Sequence, residues 1–178
     1  MNSNFNPLSP EELVSRINKI PRIRLAQLPT ALEYAPNISK ELNINLYIKR
    51  DDCTALAFGG NKTRHLEFIM AKTLSGEYDC ILTGAASQSN FCRQAVAAAN
   101  KLNLDSYLVL MHGVKGKLMQ GNFLLYNILG ANVDVVDGEN LEDIPKHLDK
   151  KYDELIKEGR KPLLIYGGFG EEDTTLAG

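Results

Sequence analysis

The chain has 178 residues, a formal net charge of −2 and 44% hydrophobic residues, enough apolar material for one buried core. Acids and bases are interspersed without a basic block, which argues against nucleic acid or an anionic membrane surface as a partner. Cys53, Cys80 and Cys92 form no CxxC pair and the scattered His65, His112 and His147 give no ligand spacing, so no metal is expected and reduced thiols suit the cytoplasm.

In chain order, Met1-Asn2-Ser3-Asn4-Phe5 lacks the charged-then-apolar start of a secretion signal, and no later stretch is long enough to span a bilayer. Ser9-Pro10-Glu11-Glu12 is a helix start in which serine can cap, proline suits the first turn and Glu12 can complete a capping box. Leu13, Ile17 and Ile20 give that helix one apolar face until Pro21. Leu28-Pro29-Thr30 reads as a loop and Ile38 to Leu42 as a short helical patch. Leu46-Tyr47-Ile48 reads as a strand ending in Lys49-Arg50-Asp51-Asp52, with Arg50 and Asp51 as a structural ion pair.

Phe58-Gly59-Gly60-Asn61-Lys62 is a glycine turn feeding a helix, with Leu66, Ile69, Met70 and Leu74 at helical spacing before Ser75-Gly76 stops it. Strand-like runs follow at Cys80 to Leu82, Tyr107 to Leu110, Val133 to Val136 and Leu163 to Tyr166. Between them lie helical faces at Cys92, Ala95, Val96 and Ala99, then Leu118, Leu125, Ile128 and Leu129, then Leu141, Ile144, Leu148, Leu155 and Ile156. Strict alternation requires crossover connections, and the expected fold is α/β, a parallel sheet flanked by helices. Gly167-Gly168-Phe169-Gly170 reads as a plain turn rather than a phosphate loop, Thr174 to Gly178 as the possible start of a helix, and Tyr166 as a half-buried strand residue.

Lys62 falls at the first helical position, where the helix field disfavours a cation by about 0.3 to 1 kcal/mol. Field and desolvation both favour the neutral amine, the form that attacks a carbonyl carbon. A solvated surface lysine after a flexible turn is the plainer alternative. In an open parallel sheet, ligands collect beyond the carboxyl ends of the strands, and Ser87-Gln88-Ser89-Asn90 lies there. It offers a hydroxyl, an amide and helix-start N–H groups to a carboxylate or phenolate oxygen, although serine and asparagine are also ordinary helix caps.

Arg50-Asp51-Asp52, Gly59-Gly60-Asn61-Lys62-Thr63-Arg64, Gln88-Ser89-Asn90 and Cys92-Arg93-Gln94 together resemble the pyridoxal-phosphate enzymes of the 1-aminocyclopropane-1-carboxylate deaminase and D-cysteine desulfhydrase family. The resemblance runs from about Leu28 onward and implies the N-terminal half of a tryptophan synthase beta-like, fold type II enzyme. It implies residues 1–50 as the N-terminal part of a larger domain, 51–166 as a smaller α/β domain and 167–178 as a return segment toward a C-terminal half. That second half is where the family's phosphate cup and the partner of the pyridine nitrogen are expected.

Lys62 is implied as the residue that holds pyridoxal 5'-phosphate as an internal aldimine, releases it to the substrate amine and then acts as base. Asn90 is implied to touch the 3-hydroxyl oxygen of the pyridoxal ring and to line the substrate site. Ser89 is implied to bind the substrate carboxylate, helped by the Phe91 backbone N–H, and in the deaminase branch it matches a serine discussed as a nucleophile. Phe91 stands where relatives often carry histidine or glutamine, and His65 where they commonly carry a lysine that reaches the cofactor phosphate. The implied substrate is a small amino acid: D-cysteine giving pyruvate, ammonia and hydrogen sulfide, or the cyclopropane acid giving 2-oxobutanoate and ammonia. A homodimer is expected for the complete protein. Two alternatives stand beside this: a truncated non-catalytic module or half-enzyme needing a partner, and another enzyme of the fold such as a beta-replacing synthase or a threonine dehydratase.

Overall fold

Ser9 caps α1 (Pro10–Ile17) through a reciprocal capping box with Glu12 in the computed structural model, which describes residues 7–112, 118–137 and 140–166. The helix stops at Ile17, short of Pro21, and buries none of its side chains. Glu67 anchors the segment that follows: it pairs with Arg22 and accepts the backbone N–H groups of Leu25 and Ala26, each at 2.9 Å.

β1 (Leu32–Tyr34), α2 (Pro36–Leu42) and β2 (Tyr47–Lys49) come next, the strands pairing antiparallel with Leu32 opposite Lys49 and Tyr34 opposite Tyr47. The expected ion pair between Arg50 and Asp51 does not form. Arg50 holds Glu33 at 2.8 Å and Asp52 at 2.6 Å, while Asp51 holds Arg64 at 2.6 Å. Consecutive side chains at the end of a strand point to opposite sides, so neighbours seldom face each other.

α3 (Lys62–Ile69) runs on as a 3-10 turn from Met70 to Ser75, ended by a left-handed Gly76. The tighter pitch of that turn carries Leu74, expected on the apolar face, out to solvent at 64% exposure. From there the alternation holds: β3 (Cys80–Ala86), α4 (Asn90–Lys101), β4 (Asp105–Met111), α5 (Gly121–Ile128), β5 (Asn132–Val136), α6 (Ile144–Lys157) and β6 (Pro162–Ile165). The four strands form one parallel sheet in the order β5-β4-β3-β6, with Ile81 opposite both Ser106 and Leu163.

Both faces of the sheet are covered, as a parallel sheet requires. Ile81, Leu163 and Ile165 pack with α3 and α4, and Leu108 and Leu110 with α4 and α5. On the other face Leu82, Val109 and Met111 meet Ile144, Leu148 and Leu155 of α6. Each fully buried aliphatic side chain contributes about 1.5 to 3 kcal/mol, so this double-sided core dominates the stabilisation.

Two helical faces differ from expectation. α5 buries Asn122, Phe123 and Tyr126 rather than the leucine stripe, and Leu118 and Ile128 are exposed. On α6 the buried set is Ile144, Leu148 and Leu155, with Leu141 and Ile156 at the surface. The Gly167–Gly170 turn, the Thr174–Gly178 helix start and the return segment 167–178 lie outside the described residues.

Candidate active site

The strand order fixes where a ligand can enter. β3 is followed in sequence by β4 on one side, while β6 arrives on the other, which makes the carboxyl ends of β3 and β6 a topological switch point. Ser87 to Asn90 leaves β3 at that place. Ser87 N–H donates to Met111 O at the end of β4, Ser89 N–H to Ala86 O, and the Tyr126 hydroxyl to Ser89 O, each at 2.9 Å. Ser89 does act as the cap of α4, its Oγ accepting Cys92 N–H at 3.3 Å. The Phe91 N–H finds no acceptor among the described residues and remains a helix-start donor, while the Phe91 ring is buried against α3.

The lysine turn is built from backbone that few sequences tolerate. Ala55, Ala57, Phe58, Gly59 and Gly60 all have positive φ, from 44° to 129°. Non-glycine residues in such regions cost about 1 to 3 kcal/mol each and persist only where the surroundings over-determine them. A Cβ on Gly59 would lie 1.9 Å from the backbone Asp52 O, which leaves no room for a side chain, and one on Gly60 would lie 2.6 Å from Gln94 Nε2 and push that amide aside. Thr54 fastens the turn from inside, its Oγ accepting Gly60 N–H and donating to Gly60 O, both at 2.9 Å.

Lys62 then begins α3 as expected, with no side-chain cap from Asn61 and no acid in the first turn. It is half-buried and has no hydrogen bond or ion pair among the described residues. His65 sits one turn on. Burial first, and then the Lys62 charge, hold its imidazole below the usual 6.5, so the ring is neutral at neutral pH.

Two side-chain bridges tie this turn to the start of α4. Thr63 Oγ donates to Gln94 Oε1 at 2.6 Å, and Gln94 Nε2 donates to Asn90 O at 3.2 Å. Arg93 donates from Nη2 to Gly59 O and from Nη1 to Asn122 Oδ1, both at 3.0 Å. Asn122 in turn donates from Nδ2 to Gln88 O at 2.8 Å and to Asn90 Oδ1 at 3.0 Å, and its backbone N–H reaches Gln88 Oε1 at 2.9 Å.

Lys62, His65, Ser89, Asn90 and the Phe91 backbone therefore belong to two segments held in one polar network. The sequence assigned no role to Gln94, Arg93 or Asn122. The available signal was a polar residue on an otherwise apolar helical face, because a buried polar group must be hydrogen-bonded. Arg50 stays outside the network, and the half-buried Tyr166 donates to Asp149 on α6. A cavity of about 550 Å³ among Arg22, Arg24, Gln27 and Glu67 contains none of the candidate residues.

Fold and site define an α/β protein in which the turn that carries a half-buried lysine is bonded to a helix start at the carboxyl edge of a parallel sheet. Residues 23–176 match the family described as pyridoxal-phosphate dependent enzyme, and the chain belongs to that family. It is 39% identical over 166 residues to a Pyrococcus horikoshii protein provisionally named 1-aminocyclopropane-1-carboxylate deaminase, covering 93% of this chain and 50% of that one. To a Klebsiella pneumoniae D-cysteine desulfhydrase it is 36% identical over 156 residues, 85% of this chain and 47% of the relative. The crystal structure of an ACC deaminase homologue superposes with a TM-score of 0.86 at 37% identity, covering 96% of this chain and 51% of the other. The family and α/β fold inferred from the motifs are thus borne out. The chain spans about half the length of the relatives it matches.

Proposed function

We propose that this chain supplies the lysine-bearing half of a pyridoxal-phosphate-dependent deaminase or desulfhydrase, which releases ammonia and a 2-oxo acid from a small amino acid such as D-cysteine or 1-aminocyclopropane-1-carboxylate. The observation that carries this reading is Lys62, without a partner among the described residues, locked by the Thr63–Gln94 and Arg93–Gly59 bonds to a helix start that offers donors. When bound, pyridoxal phosphate supplies an electrophilic aldehyde and an electron-withdrawing ring.

The donor set fits that cofactor. Lys62 is the amine for its aldehyde and afterwards the base that moves a proton at the substrate carbon. Asn90 has its Oδ1 engaged by Asn122, which leaves Nδ2 to donate to the ring oxygen. His65 contributes a neutral contact to the phosphate. Ser89 Oγ, whose lone pair caps α4, keeps its hydroxyl proton for a substrate carboxylate, beside Asn90 and the Phe91 N–H. Relatives named for the cyclopropane acid and for D-cysteine support the substrate class.

Residues 1–50 form the N-terminal part of a larger domain and 51–166 the smaller α/β domain. In support, large exposed apolar side chains crowd the N-terminal segment, among them Leu13, Val14, Leu32, Tyr34, Tyr47 and Ile48. A second polypeptide stretch, continuous or separately encoded, covers that surface, and the half-enzyme reading rests on it. The complete protein is a homodimer in the cytoplasm, a compartment in keeping with free Cys53, Cys80 and Cys92. No helix among the described residues is long and apolar enough to cross a membrane.

The test uses the full-length gene product. Saturation with pyridoxal phosphate should give the visible band of an amine-bound cofactor, and Lys62→Ala should abolish it. Side-by-side assays should show ammonia from D-cysteine or the cyclopropane acid and no β-replacement on L-serine. A band that survives Lys62→Ala, or none at saturating cofactor, refutes the assignment.

A further inference from the structure

The side-chain amide of Asn90 can meet a ligand in two ways, oxygen outward or NH2 outward, and only the second serves a phenolate. We propose that Asn122 on α5 is a positioning residue that fixes this choice, holding the Asn90 carbonyl inward so that its NH2 faces the ligand. The proposal rests on the reading above that Asn90 meets the ring oxygen of the cofactor.

The argument needs only the donor and acceptor inventory of the groups involved. Asn122 is 9% exposed and is read from both ends. Its Oδ1 lies 3.0 Å from Arg93 Nη1, a group that can only donate, and its Nδ2 lies 2.8 Å from the backbone oxygen of Gln88, a group that can only accept. The Asn122 amide therefore has one permitted orientation. Its second Nδ2 hydrogen points to the Asn90 side chain at 3.0 Å, and the atom that receives it must be an oxygen. Reversing Asn90 would set NH2 against NH2. The orientation of an exposed amide is thus dictated by a buried one, which ordinary amide ambiguity does not touch.

Arg93 extends the chain of constraint to the lysine turn, since its Nη2 holds Gly59 O at 3.0 Å. The arrangement persists although it leaves Arg93 Nε buried without an acceptor among the described residues. An unsatisfied buried donor is unfavourable, so the guanidinium stays where it is because its other contacts hold it.

Asn122→Asp is the informative variant. A carboxylate still accepts from Arg93 but has no hydrogen to give, and it draws the Asn90 NH2 inward, away from the ligand. In the full-length gene product, Asn122→Asp should weaken pyridoxal phosphate binding about ten- to a hundredfold, the value of one charge-assisted hydrogen bond. It should also shift the pH midpoint of the visible band upward, because a phenolate without its donor holds the neighbouring proton more tightly. Asn90→Ala should do the same, and Asn122→Asp should add little on the Asn90→Ala background.

If Asn90→Ala moves affinity and midpoint but Asn122→Asp moves neither, the positioning role is overturned and the site reading stands. Undiminished effects of Asn122→Asp on the Asn90→Ala background also overturn it, since Asn122 then acts elsewhere. If Asn90→Ala changes nothing, the reading of Asn90 falls and takes the proposal with it. Should Asn122→Asp fail to fold, side-chain amide hydrogen exchange on the unsubstituted protein without cofactor decides. The Asn122 NH2 should be protected and the Asn90 NH2 open, and the reverse order overturns the proposal.

Discussion

Gly59→Ala and Gly76→Ala make a matched pair that isolates how tightly the lysine turn is built. Their φ values are nearly equal, +74° and +73°, but a Cβ at Gly76 meets nothing within 4 Å, whereas at Gly59 it lies 1.9 Å from Asp52 O and 2.9 Å from Asp52 C. Forcing an alanine into left-handed backbone costs about 1 to 2 kcal/mol, and that is the whole expected cost at Gly76. Gly59 adds ψ −176°, a region almost confined to glycine, where the backbone term reaches about 3 kcal/mol. The contact must also relax. To recover the 3.0 Å below which real Cβ contacts essentially never fall, Asp52 O has to retreat by 3.0 − 1.9 = 1.1 Å. Asp52 follows Asp51, whose carbonyl receives Gly60 N–H at 3.0 Å and whose carboxylate holds Arg64, so the retreat strains both bonds.

A loss of at least about 4 kcal/mol follows for Gly59→Ala, in the range that marks a named structural clash. At about 2 to 4 °C per kcal/mol for a chain of this size, thermal midpoints of the two variants should separate by about 5 to 10 °C. Melts followed by circular dichroism, with urea titrations in parallel, read the difference. Equal losses for the two variants would show that the turn has room for a side chain, and the argument that Gly59 dictates the placement of Lys62 would collapse.

Replacing Gln94 by leucine leaves the buried Thr63 hydroxyl with only the Thr54 hydroxyl at 3.3 Å and should cost about 0.5 to 1.5 kcal/mol, while adding Thr63→Val should recover most of it, since removing both partners is nearly neutral. Denaturant titrations of the single and double variants decide whether the bond spans the two helices. His65→Lys should tighten pyridoxal phosphate binding by about five- to tenfold, because a charged contact to phosphate is roughly twice as strong as a neutral one. Folding lowers the His65 pKa below 6.5, so the unfolded chain binds that proton first. Its contribution to stability is complete above about pH 6.5 and fades as the pH falls toward the folded value, a component that His65→Gln should remove from a pH series of melts. Burial pushes the Cys80 and Cys92 thiols up to about 12, whereas Cys53 is exposed. A thiol reagent at pH 8 should modify Cys53 quickly and the other two only after unfolding, as mass spectrometry would read directly.

The central strands were legible because they are aliphatic on both faces, so uninterrupted runs such as Leu108 to Leu110 mark them without any need to choose a face. β1 was not legible: Leu32, Glu33 and Tyr34 are too short a stretch to establish a period, and all three are exposed. α5 misled for a different reason. Hydropathy selected Leu118, Leu125, Ile128 and Leu129, whereas the helix turns Asn122 inward to bond with the Gln88–Asn90 loop, and Phe123 and Tyr126 go in with it. Lys62 stood out in the sequence as a local anomaly, a cation at a helix start. Its supports did not, because Thr63–Gln94 and Arg93–Gly59 join residues about thirty positions apart, and no local pattern encodes such a bond.

That contrast separates what makes the fold from what makes the site. Any sheet ordered β5-β4-β3-β6 opens a crevice at the ends of β3 and β6, whatever lines it. The apolar contacts of Ile81, Leu82, Leu108 and Val109 would close the core just as well with leucine at position 94 or alanine at position 122. The choice of chemistry at the crevice lies instead in a few buried polar bonds between α3, α4 and α5, each modest in net energy but costly to leave half-made. A relative that kept the strands and lost Gly59, Gln94 and Asn122 would keep this architecture, yet its lysine and its oxygen-binding loop would no longer be held to each other.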